Sequence, residues 1–197
     1  IPSRLSATRL PGKPLLKIRG ISVISHVVKK AKEANIGEVY VATEDKEIIL
    51  DVEKNGGQAI LTSNKPKTGT DRIYEALTKL GKTDVDLVMN LQGDEPLINL
   101  DDIKNLNNQM IKYKSDMGTL ASLITDKDLL INQNVVKVIT KENLNNFNFP
   151  EAKSFFRKSN NISNNTYHHL GVYCYTFETL KKFVSFPVNK SPGILIL

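Results

Sequence analysis

Between residues 24 and 113, short β-branched runs alternate with segments of helical period, and this alternation restricts the fold more than any other feature of the chain. From Ile24 onward the apolar residues Val27, Val28, Ala31 and Ala34 recur at helical spacing while lysines take the other face, which predicts a surface helix. "EVYVAT" (38–43) reads as a strand, "KEIILDVEKN" (46–55) as a helix closed by Gly56 and Gly57, and "QAIL" (58–61) as a second strand. "TDRIYEALTKL" (70–80) is helical again, capped by Thr68 or Thr70. "DVDLVMNLQ" (84–92) is a buried strand running into the turn "GDEP", and a helix over 100–113 follows. This order predicts an α/β domain with a mainly parallel sheet flanked by helices, in which ligands bind beyond the carboxyl ends of the strands.

The second half is less regular. Strands are expected at 118–124, 135–140 and 168–177, and the asparagine-rich stretch between Asn143 and Asn165 reads as a loop or lid. A glycine-bearing loop that leads into a helix usually follows a strand in this architecture, so a strand is expected ahead of Ile1. With 197 residues, 40% of them hydrophobic, the chain suits one domain with a full core. The single cysteine, Cys174, excludes a disulfide framework within the chain and a CxxC metal site, and it fits a reducing cytoplasm. No apolar run approaches the ~18–20 residues of a membrane span. The expectation is therefore a soluble, cytoplasmic protein with no membrane contact.

Charge gathers at the start of the chain. "IPSRLSATRLPGKPLL" carries Arg4, Arg9 and Lys13 with Gly12, and no acidic residue precedes Glu33. A net charge of +6 suits a nucleic-acid binder or a cleft for small anions equally. At the end of a first strand, such a loop has what a triphosphate requires: glycine admits close backbone approach, amides donate, and cations neutralise charge as pyrophosphate departs. It is not the P-loop pattern, since one glycine is present and Pro14 follows the lysine. A plain solvated basic loop would read the same way.

Three further stretches carry candidate chemistry. In "NLQGDEP" (90–96), Asp94 follows an apolar strand, where a carboxylate can reach a Mg²⁺ that also contacts phosphates, although Asp and Pro equally suit an ordinary turn. In "KTGTDR" (67–72), Thr68 and Gly69 open a helix whose free amides could read a base or a phosphate, or simply cap it. His168 and His169 precede "LGVYCYTF", and adjacent strand residues face opposite sides, so one of them at most points into a cleft. His26 lies far away on a helix, and a histidine metal site is not expected.

In this order, "IPSRLSATRLPGKPL", "VYVATED", "TGTDR", "NLQGDEP", "NQNVVKVIT" and "HHLGVYCY" resemble the 3-deoxy-manno-octulosonate cytidylyltransferases, also called CMP-Kdo synthetases. The resemblance covers nearly the whole chain. It implies a single Rossmann-like nucleotidyltransferase domain that acts as a homodimer, requires Mg²⁺, and joins CTP to the acidic eight-carbon sugar Kdo for lipopolysaccharide biosynthesis. It implies catalytic roles for Lys13, Arg4 and Asp94, with Asp94 as the metal ligand and Arg9 in the triphosphate loop. Thr68 and Gly69 are implied in the cytosine pocket with Arg72 beside them, and Gln92, Arg157 and His169 at the sugar.

The chain departs from the family pattern in places. "SFFRKSNN" follows its Phe-Ser-Arg stretch loosely, and Glu44 stands where aspartate is usual. After Ser191 and Pro192 the chain reads "GILIL", where the family continues with an acidic helix and a second metal-binding aspartate. Low turnover and little stable dimer are the expectation for the chain as it stands. A synthetase for another acidic sugar, of the 8-amino-Kdo or sialic acid type, and a nucleotide-binding protein with little catalysis are the alternative readings. A nucleic-acid binder is disfavoured, because the basic residues cluster in one loop rather than interleaving with aromatics on a surface.

Overall fold

The computed structural model describes residues 1–6, 10–145, 147–158 and 163–186. After a single 3₁₀ turn at Lys13–Leu15, a two-residue antiparallel ribbon of β1 (Lys17–Ile18) and β2 (Ile21–Ser22) leads into α1 (Val23–Ala34). The Ser22 hydroxyl accepts the Ser25 amide at 3.1 Å and starts that helix, and Asn35 in the left-handed region ends it. There follow β3 (Val41–Thr43), α2 (Lys46–Lys54), β4 (Ala59–Leu61), α3 (Gly69–Lys79), β5 (Leu87–Asn90) and α4 (Leu100–Tyr113). The helix, strand, helix, strand order read from the sequence therefore stands through residue 113.

The rest of the chain comprises β6 (Met117–Ser122), α5 (Lys127–Ile131), β7 (Lys137–Thr140), β8 (Ala152–Phe156), β9 (Thr166–Thr176) and α6 (Phe177–Ser185). The α/β class is as expected, but the balance of pairing is not mainly parallel. β3 pairs parallel with β4 and bridges to Pro2, whereas β9 runs antiparallel to β5, β6 and β7, and β8 is antiparallel to β7. The cause is the eleven-residue β9, which lies across three strands at once. β8 itself corrects the reading of 143–165 as loop. Phe155 and Phe156 pair with Val138 and Lys137, a strand signal diluted by the asparagines around it.

Alternation along the strands creates two cores. Val172 and Cys174 face a cluster with Ile24, Val27, Ile48, Ile103 and Leu106 of α1, α2 and α4, while Tyr175 and Val88 face Ile73 of α3 and Leu180 of α6. Each fully buried Ile, Leu or Val here contributes ~1.5–3 kcal/mol. Cys174 is a free thiol with no exposure, and burial pushes its pKa up to about 12, so it is an inert packing residue. Among the described residues no helix is long and apolar enough to cross a membrane.

Candidate active site

The first three residues lie parallel to β3: the Ala42 amide donates to the Ile1 carbonyl at 2.9 Å, and the Ser3 amide to the Ala42 carbonyl at 3.0 Å. Two glycines let this segment settle against the start of α3 and the end of β5. A Cβ on Gly69 would lie 3.1 Å from Pro2 Cγ, and one on Gly93 would lie 2.9 Å from the Pro2 carbonyl oxygen. Beyond Ser3 the chain swings out as a loop, held where the Leu5 amide donates to Asp45 Oδ2 at 2.7 Å and the Gly12 amide to the Leu5 carbonyl at 3.0 Å. Gly12 adopts φ 72°, which returns the loop so that Lys13 opens the 3₁₀ turn.

A cleft of about 370 Å³ results. Arg4 and Lys13 come from the basic loop, Thr68, Gly69 and Arg72 from the start of α3, and Gln92 and Asp94 from the turn after β5. Seven residues singled out in the sequence thus meet in one place. Lys67, Gly93, Pro66, Pro2, Ser3 and Pro14 complete the wall, and among them Lys67, a cation directly before the helix start, carried a charge signal that could have flagged it. Arg9 lies outside the described residues.

Lys13 Nζ donates to Asp94 Oδ2 at 2.7 Å, with 37% and 51% of the two side chains exposed, so cation and carboxylate already sit at the spacing of a ligand pair. Exposure keeps this pair worth little to stability, on the order of 1 kcal/mol or less, and leaves both groups free to change partners. Burial and the neighbouring Asp94 charge raise the pKa of Glu95, against the opposing pull of Lys13. Among the described residues no group of three His, Cys, Asp or Glu side chains could hold a metal. A lone exposed carboxylate still fits Mg²⁺, which keeps several waters and takes its other oxygens from phosphates.

Thr68 forms a full capping box: its hydroxyl accepts the Asp71 amide at 3.1 Å, and Asp71 Oδ2 accepts the Thr68 amide at 2.9 Å. The Arg72 guanidinium is 3% exposed and donates to Glu44 at 2.9 Å, to Thr62 Oγ1 at 2.5 Å and to the Ser63 carbonyl at 3.3 Å. It buttresses the cleft from behind instead of offering free donors. Glu44, in place of aspartate, reaches this guanidinium.

Arg157 and His169 do not line this cleft. Arg157 is exposed and its guanidinium donates to the carbonyls of Asn134 at 3.0 Å and Gln133 at 3.3 Å. His169 is 8% exposed on β9, and burial, with a smaller contribution from His168, lowers its pKa to about 4. Its ring packs edge-on to Phe155, and Nε2 lies 2.9 Å from Thr119 Oγ1, whose one proton serves the Val172 carbonyl at 2.6 Å. With that proton committed to the carbonyl, Oγ1 is left to accept and Nε2 is the ring nitrogen that donates to it. Gln92 links the two regions, since its Nε2 donates to the Gly171 carbonyl on β9 at 2.6 Å.

Residues 1–190 match the cytidylyltransferase family. A 3-deoxy-manno-octulosonate cytidylyltransferase from Thermodesulfovibrio yellowstonii is 40% identical over 96% of this chain and 79% of its own length. An 8-amino-3,8-dideoxy-manno-octulosonate cytidylyltransferase from Shewanella halifaxensis is 39% identical over 96% of this chain and 78% of its own. Among solved structures, a CMP:2-keto-3-deoxy-manno-octonic acid synthetase complexed with CTP superposes with a TM-score of 0.83 at 33% identity, over 96% of this chain and 77% of that one.

Proposed function

Because the chain belongs to the cytidylyltransferase family, we propose that it is a CTP-dependent nucleotidyltransferase joining CTP and Kdo to give CMP-Kdo and pyrophosphate, a step that supplies activated sugar for lipopolysaccharide. The observation that carries this reading is the cleft, in which Arg4, Lys13 and Asp94 stand with the first turn of α3 around one cavity. That cavity offers the three cations Arg4, Lys13 and Lys67, one carboxylate and the amides of a helix start, the set a nucleoside triphosphate needs.

In this reading the anomeric hydroxyl oxygen of the sugar bonds to the α-phosphorus as the bond to pyrophosphate breaks. Arg4 and Lys13 hold the triphosphate, and Lys13 counters the charge that grows on the leaving oxygen. The loop carrying Arg9 belongs to the same phosphate site. Gly69 and Thr68 bound the cytosine pocket, and Arg72 keeps that pocket in shape through Glu44, Thr62 and Ser63. Gln92 and His169, connected through Gly171, face the sugar side, where Arg157 serves the sugar carboxylate once released from the loop carbonyls. Asp94 holds Mg²⁺, which when bound supplies positive charge to the phosphate oxygens. We further place the enzyme in the cytoplasm as a homodimer, a setting that suits its one buried free thiol.

The test is pyrophosphate release with CTP, Mg²⁺ and a panel of Kdo, 8-amino-Kdo and sialic acid. Turnover with CTP and Kdo is expected, with ATP poorer by orders of magnitude because a purine overfills a one-ring pocket. Faster turnover with 8-amino-Kdo would favour the second reading, to which the Shewanella halifaxensis relative lends support. No pyrophosphate with any of the three sugars would sink both.

A further inference from the structure

β6 and β9 slip register between Thr119 and Leu120. Thr119 pairs with Tyr173 and Leu120 with Leu170, so Gly171 and Val172 stand opposite no residue of β6. Such a bulge breaks the ladder locally and re-aims the residues around it. Here side chains take up its carbonyls. The Thr119 hydroxyl shares its proton between the Val172 carbonyl at 2.6 Å and the Leu170 carbonyl at 3.2 Å, and Gln92 Nε2 donates to the Gly171 carbonyl between them at 2.6 Å. One half-buried hydroxyl on β6 thus braces both sides of the carbonyl that holds Gln92.

The same oxygen lies 2.9 Å from His169 Nε2. The His169 ring is clasped by Phe155, edge-on with centroids 5.0 Å apart, and by Tyr173 at 5.5 Å. Aromatic packing holds the plane of an imidazole but does not tell its two edges apart, since a half-turn of the ring leaves its shape almost unchanged. A hydrogen bond does. Burial keeps the ring neutral, so when Nε2–H donates to Oγ1, Nδ1 is the nitrogen without a proton. Among the described residues no hydrogen bond engages Nδ1.

We propose that Thr119 is a positioning residue for the sugar: its hydroxyl locks His169 with the proton on Nε2, so that Nδ1 accepts from a sugar hydroxyl, and it seats the carbonyl on which Gln92 is anchored. This rests on the placement of His169 and Gln92 at the sugar side under the proposed function. The tautomer divides the labour there. An unprotonated nitrogen takes a hydroxyl but repels a carboxylate, which is left to a cation.

The experiment compares the wild type with Thr119→Val, which keeps the shape and removes the hydroxyl, and with Thr119→Ser, which keeps the hydroxyl. Nitrogen NMR of histidine-labelled protein without ligand reads the tautomer, the His169 signals being identified by their loss in His169→Gln. The wild type and Thr119→Ser should carry the proton on Nε2, and Thr119→Val should shift the population toward Nδ1–H. With CTP and Kdo, Thr119→Val should raise the KM for Kdo about tenfold or more while the KM for CTP moves less than about twofold, and Thr119→Ser should recover most of the loss. A wild-type proton on Nδ1 would overturn the proposal, as would a tautomer indifferent to Thr119→Val. So would a KM for Kdo that rises no more than that for CTP, or a serine variant that behaves like the valine one. No pyrophosphate from the wild type with CTP and Kdo would sink the proposed function instead, and the ligand-free tautomer would still decide what Thr119 does to His169. The wild-type tautomer also decides it if Thr119→Val fails to fold.

Discussion

At the scale of single residues, the Lys13 and Asp94 pair decides how the cleft behaves. Lys13 is held at 2.7 Å by a carboxylate that prefers a cation of its own, so binding a metal-loaded triphosphate exchanges one set of partners for another. Lys13→Ala should lower the single-turnover rate by about a hundredfold or more while changing the Kd of CTP much less, because the charge is wanted most as pyrophosphate leaves. An unchanged rate would remove Lys13 from the chemistry. His169 makes a separate prediction, concerning pH. Its folded pKa lies near 4, below its ordinary 6.5, so the unfolded state binds more protons in that interval and the stability His169 contributes is lost as pH falls through it. Urea unfolding should show a loss on the order of 3 kcal/mol between about pH 6.5 and 4, and His169→Phe should flatten that slope. An identical slope in the variant would show that the imidazole is not what titrates.

At the scale of elements, the helix starts and loop closures hold the cleft in shape. Thr68→Ala removes one half of the capping box on α3 and should cost about 1 kcal/mol, read as a drop in Tm of about 2–4 °C, with weaker CTP binding. Gly93→Ala should do more damage to function, since its Cβ would meet the Pro2 carbonyl at 2.9 Å and push the first strand residues out of place. Isothermal titration with CTP would report this as a loss of affinity at least about tenfold, and an unchanged Kd would show that the segment can yield. These elements were legible in the sequence because each carries its own local chemistry: a Thr-x-x-Asp box, a Gly-Lys-Pro turn, an apolar strand ending in Gly-Asp. What could not be read was long-range. Nothing local in β8 announces that Phe155 packs against His169, or that Lys137, with no exposure, donates to the carbonyls of Asn132, Val135 and Arg157. That buried lysine, together with Arg157, staples the 132–135 loop. The same staple directs the guanidinium toward loop carbonyls, where the sequence led one to expect it at the sugar.

At the scale of the whole molecule, the cleft and an interior cavity of about 910 Å³ lie along the same elements, although no residue lines both. The first residues run from one to the other, with Ile1 at the interior cavity and Pro2 and Ser3 in the cleft. α3 does the same along its length, its first turn at the cleft and Ile73, Ala76 and Leu77 at the interior cavity. A helix whose first turn borders a phosphate site and whose body packs the interior thus makes nucleotide affinity a gauge of how well the core behind it is packed.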